Sequence, residues 1–120
     1  MQRIPGELVF SLYEEDIRFG ERNACWYCPV ARAIRRTLAA WVAHPVGPYA
    51  VVVSPRIISI TLPGFDVHYY VPAMLRGRLE SYDVGDDIAL MAGMSFMVPL
   101  RAYQDNGWII AGLSAEAMQR

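Results

Sequence analysis

Two cysteines three positions apart, Cys25 and Cys28, enclose Trp26-Tyr27 and run directly into Pro29. A Cys-x-x-Cys pair at a helix start can support two kinds of chemistry. The helix N-terminus stabilises a thiolate and lowers its pKa, which is the arrangement of redox-active dithiols. Two thiolates also supply half of a tetrahedral zinc site, which His44 and His68 would complete. Both patterns are partial: a thioredoxin-like pair follows a strand-helix-strand opening, and the four zinc candidates match the spacing of no standard module. The plainer alternative keeps both thiols reduced and partly buried, with Cys28 packed under the helix start. His44, ahead of Pro45, suits a helix end where a cation opposes the dipole, and His68 suits a satisfied position in a strand.

Three arginines follow at Arg32, Arg35 and Arg36. On a helix they form a cationic face that either stays solvated or pairs with the carboxylates or phosphates of a partner, and they are the candidate partner-binding residues. The chain shows no nucleophile beside a base, no phosphate-cradling glycine loop and no acid pair at a diagnostic spacing, so binding is expected and catalysis is not. Glu14-Glu15-Asp16 and Asp86-Asp87 suit helix caps and first-turn charges.

These residues need elements to hold them. Pro29 has its φ preset for a first helical turn, with Asn23 or Cys28 itself as the cap. Val30, Ile34, Leu38 and Trp41 recur at helical spacing, which predicts a helix over Pro29 to Ala43 with the arginines on its hydrated side. Before it, Leu8, Phe10 and Leu12 alternate as a first strand, and Ser11 with Glu14 has capping-box spacing for a short helix over Tyr13 to Phe19 that Gly20 closes in a left-handed conformation. After it, Tyr49 to Val53 suits a central strand, and Ile57 to Leu62 and Phe65 to Val71 alternate as its antiparallel neighbours. A second helix is expected from Pro72 to Asp83 with Leu75, Leu79 and Tyr82 inward. Asp86-Asp87 caps a short segment through Met91, and Ser95 to Val98 forms a last strand that Pro99 places at an edge or its end. Asp105-Asn106-Gly107 is a turn, and Trp108 to Ile110 an added edge strand before the tail from Ser114. The expected fold is α+β, a mostly antiparallel sheet of four or five strands with two helices on one face.

A chain of 120 residues supports one domain with one core, with residues from about 101 onward expected as a C-terminal extension. Its hydrophobic fraction is 54% and its mean hydropathy +0.20, high for a small soluble monomer, so some apolar surface is expected to meet a second copy or another protein. No apolar run has the length of a membrane span, and Met1 to Gly6 lacks the apolar core of a signal peptide, so a cytoplasmic location is expected. The net charge of −1 gives no general attraction to nucleic acid or anionic lipid, so any nucleotide or nucleic-acid binding would depend on the local arginine face.

The pattern Asp16-Ile17-x-x-Gly20, then Cys28-Pro29-Val30-Ala31-x-Ala33-Ile34-x-Arg36, and later Tyr82-Asp83-x-Gly85, resembles a group of small uncharacterised proteins encoded by tailed bacteriophages. The resemblance spans residues 7 to 100. It implies a phage accessory protein that acts in the host cytoplasm by binding, and often inhibiting, a host factor or defence component; it implies no activity.

Overall fold

The computed structural model describes residues 3–41, 50–62, 65–105 and 109–111. In chain order they form β1 (Arg3–Pro5), β2 (Glu7–Ser11), α1 (Glu14–Phe19), α2 (Pro29–Trp41), β3 (Ala50–Val53), β4 (Ile57–Leu62), β5 (Phe65–Tyr70), α3 (Ala73–Asp83), β6 (Ser95–Asp105) and β7 (Ile109–Ala111). Five strands make an antiparallel sheet in the order β2-β6-β5-β4-β3, and the expected α+β class, with helices against one sheet face, is what the protein adopts.

Strand alternation decides which face is covered, because successive side chains point to opposite sides. Leu8 and Phe10 of β2, Phe96 and Val98 of β6, Val67 and Tyr69 of β5, Ile58 and Ile60 of β4, and Val51 and Val53 of β3 are all buried on the same side. Phe10 and Phe96 stand opposite in register with ring centroids 5.7 Å apart, a cross-strand aromatic pair. Val30, Ala31, Ile34 and Leu38 of α2 and Leu75, Leu79 and Tyr82 of α3 complete one continuous core. The helical stripes read from the sequence are therefore the packed stripes; Trp41's side chain and the residues through Ala43 lie outside the described residues.

Several local expectations are corrected. Ser11 is no helix cap: it ends β2, and its hydroxyl meets that of Ser95 at 2.7 Å. The cap residue is Tyr13, whose N–H donates to the Asp16 carboxylate at 2.8 Å, so the third helical position supplies the acceptor. Gly20 is extended, with φ of −72°, not left-handed. What excludes a larger residue there is space, since a Cβ would lie 2.5 Å from the Asp16 carbonyl and 2.7 Å from the Pro29 ring. Among the described residues the positive-φ positions are Asn23, Gly85 and Gly93 instead. Asp86 does cap the short segment after it, its carboxylate accepting the Ile88 N–H at 3.1 Å, and that segment consists of turns, with Ala89 and Leu90 buried beneath.

The strand expected to be short and peripheral near Pro99 is the longest, 11 residues, and is interior to the sheet. Proline is tolerated because β6 changes partner there: Ser95 to Pro99 pairs with β2, and Leu100 to Asp105 pairs with β5. A register shift opposite His68/Tyr69 leaves Arg101 without an opposing residue, a bulge that curls the sheet. The Tyr49–Val53 run, expected to be central, supplies the edge strand β3. The expected C-terminal edge strand is β7, and it pairs in parallel with β1, a small second sheet that periodicity did not reveal. The 106–107 turn and the tail from Ser114 lie outside the described residues.

Two glycines give opposite expectations. Gly20→Ala should cost about 2 kcal/mol through forced displacement of backbone and proline. Gly77→Ala, in α3 with nothing within 4 Å of the added methyl, should gain up to about 1 kcal/mol of helix propensity; urea unfolding of both variants checks the pair. Burial also raises the Tyr69 phenol above its ordinary value of 10.0. Its contribution is thus fully present below that pH and is lost as pH climbs toward the raised folded-state value. Stability measured against pH should fall above about pH 10, less steeply in Tyr69→Phe.

Candidate functional site

The helical end of the molecule is organised by one carboxylate. Asp16 is 1% exposed, and besides capping α1 it receives both terminal nitrogens of Arg36 at 2.7 and 2.8 Å. The Arg36 guanidinium also donates to the Ser11 carbonyl at 2.8 Å and lies 3.7 Å from the Tyr13 ring centroid. Its pKa is raised, chiefly by the hydrogen bonds to Asp16. A planar fork meeting a carboxylate in two parallel bonds fixes orientation as well as distance, so this contact sets how α1 lies across α2. Gly20 completes the junction by letting the chain pass flush against Asp16 and Pro29.

The three candidate arginines therefore have different surroundings. Arg36 is an internal tie. Arg32, one turn earlier, reaches the already shared Asp16 only at 3.9 Å, its Nε is buried without a hydrogen-bond partner, and its guanidinium lies 5.7 Å from the Phe19 ring. Arg35 lies 5.4 Å from the Tyr27 ring. Arg18 approaches the same Phe19 ring at 5.3 Å. Tyr13, Phe19, Trp26 and Tyr27 are each about half exposed or more, so the outer surface of α1, α2 and the loop between them alternates guanidinium groups with uncovered aromatic rings. The expectation that Asp16 is a cap or first-turn charge holds, but its pairing with Arg36 and the exposed ring of Phe19 were not legible; the signal was available in part, since Arg32 and Arg36 are one turn apart and must face a common neighbour.

The loop over residues 20–28 is tied down at both ends. Arg22 donates to the Tyr82 carbonyl at 2.7 Å, stacks 4.3 Å from the Tyr82 ring and pairs with Asp87 at 2.6 Å. Asn23 uses its left-handed backbone to offer its N–H to the Asp83 carboxylate and its side-chain amide to the Asp83 carbonyl. Val53 of the edge strand donates to the Cys25 carbonyl at 2.8 Å.

The thiols differ as well. Cys28 caps α2: its sulfur accepts the Ala31 N–H at 3.4 Å, and burial raises its pKa. Cys25 is exposed. Both border a cleft of about 260 Å³ between this loop and α3, with Ser54, Arg76, Glu80 and Asp83 on its rim. His68 extends from the sheet face opposite the core, 3.4 Å from Asp66, and so does not approach the sulfurs. His44 lies outside the described residues, and no group of three His, Cys, Asp or Glu converges among those described.

No family model, curated protein or solved structure matches the chain.

The Asp16–Arg36 tie is asymmetric, and that asymmetry is measurable. Arg36→Met strands a carboxylate that is almost wholly out of water and should cost about 3 kcal/mol, the scale for breaking a buried pair. Asp16→Asn keeps an acceptor for the Tyr13 N–H and leaves a guanidinium that is one-third exposed, so it should cost clearly less. Paired denaturant titrations showing equal losses would mean that burial of Asp16 is not what makes the contact matter.

Proposed function

We propose that this chain is a phage-encoded accessory protein that acts by binding, without catalysis, to a host factor or defence component in the host cytoplasm. The surface engaged is the arginine and aromatic face of α1, α2 and the 20–28 loop. The observation that carries this is the exposure of Phe19 and Tyr27, 59% and 60%, each beside a guanidinium. Large rings left in water cost free energy that burial against a partner recovers, and arginine with aromatic residues is the composition of energetic hot spots at protein interfaces. The tie to tailed phages comes from the motif resemblance.

A protein partner is favoured over nucleic acid by the charges around the rings. Arg18, Arg22, Arg32, Arg35 and Arg36 share this region with Glu14, Glu15, Asp16 and Glu21, and Arg22 is paired with Asp87, so the face lacks the excess positive field that a polyphosphate backbone requires. Association with a second copy has its own supporting observation. The uncovered side of the sheet presents Val9, Met97 and Tyr70, each about half exposed, on neighbouring strands β2, β6 and β5. No helix of the described residues is long and apolar enough to cross a membrane.

The test separates the two arginines beside the exposed rings from the one that ties Asp16. Arg32→Gln with Arg35→Glu, which adds no carboxylate beside Asp16, should weaken affinity for the captured host partner at least roughly tenfold, about 1.4 kcal/mol, while moving the thermal midpoint by only a few degrees. Arg36→Met, by contrast, should act mainly on the midpoint. Unchanged affinity in the double variant would remove this face from the proposal, and a steep loss of affinity with salt would turn the assignment toward nucleic acid.

A further inference from the structure

We infer that Cys25 and Cys28 form a thiol-disulfide exchange site that accepts a small disulfide in the cleft beside α3 and closes into an intrachain bridge. Three observations place the two sulfurs for this. The Ala24 carbonyl accepts both the Tyr27 N–H at 3.2 Å and the Cys28 N–H at 2.9 Å, so residues 24–28 make one helical turn. Such a turn sets Cα atoms three residues apart at roughly 5 Å, inside the range of about 4.4 to 6.8 Å that a disulfide spans. Both cysteines border the same cleft of about 260 Å³, which has room for one arm of a small disulfide. Finally, the two differ in access: Cys25 is exposed and Cys28 is 4% exposed.

That difference orders the reaction. Cys25 loses its proton and its thiolate attacks one sulfur of the small disulfide; the S–S bond of the reagent breaks, a mixed disulfide forms on Cys25, and one small thiol leaves with the proton. Cys28 then attacks the Cys25 sulfur, the mixed disulfide breaks, the intrachain bridge forms, and the second small thiol leaves with the Cys28 proton. The protein's two thiols are oxidised and one disulfide is reduced. Cys25 is exposed and Cys28 buried, and burial disfavours the Cys28 thiolate, so Cys25 acts first. The turn is held for closure from outside, by Val53 on the Cys25 carbonyl and by Asn23 on Asp83.

Intact mass spectrometry of the full chain in oxidised glutathione, quenched by acid over time, tests this. The wild type should pass through a single glutathione adduct and end two hydrogens lighter and monomeric, and dithiothreitol should restore the starting mass. Cys28→Ser, whose hydroxyl can take over the cap, should stop at the adduct, and Cys25→Ser should lose the adduct altogether. A native far-ultraviolet spectrum of each variant confirms that folding is not the cause. The inference is overturned if the wild type also stops at the adduct, if the bridge links two chains, or if reaction occurs only in denaturant.

Discussion

A buried carboxylate that must be neutralised dictates the arrangement of the whole helical layer. Asp16 lies at the first turn of a six-residue helix too short to be stable alone, and its charge is out of water. Arg36 supplies the compensating cation from α2, and its Nη2 also donates to the Ser11 carbonyl at the end of β2. One guanidinium thus joins three elements, β2, α1 and α2, and the contact is specific because the planar fork tolerates little rotation. Without it α1 would have no reason to lie where it does, and the rings of Tyr13 and Phe19 would lose their shared setting.

The residues of the sequence pattern prove to be the fixtures of this arrangement. Asp16 and Arg36 are the two halves of the tie; Gly20 and Pro29 are in contact; Cys28 caps α2; Ala31, Ala33 and Ile34 are buried. In the later portion, Tyr82 and Asp83 receive Arg22 and Asn23, and Gly85 takes the positive φ that ends α3. The pattern therefore describes how a loop and two helices are held, and the exposed rings that carry the proposed interaction, Phe19 and Tyr27, fall outside it. Architecture and recognition are assigned to different residues on the same short stretch.

What could be read from the chain followed from periodicity. The alternation of Leu8 and Phe10, of Val67 and Tyr69 and of Ile58 and Ile60, and the helical spacing of Val30, Ile34 and Leu38, each report a single element facing one core, and each is buried as expected. Features that join distant elements were not readable. The partner of Arg36 is twenty positions away, the ties of Arg22 and Asn23 cross sixty positions to α3, and the β1–β7 pairing joins the two ends of the chain. Pro99 misled for a physical reason: a missing donor normally marks an edge, and here it marks the handover of an interior strand from one neighbour to another. The three arginines looked equivalent because helical spacing places them on one side, whereas a single buried anion distinguishes them.

That handover concentrates the curl of the sheet at one residue. Leu100 donates to Gly6 on one side and stands opposite Tyr69 on the other, so it alone is common to both ladders, between a proline that cannot donate and a bulge at Arg101. The sheet therefore turns at this point, with β2 and, through Arg36, α1 on one side of it and the three-stranded meander that borders the cysteine cleft on the other, and α2 packs across both.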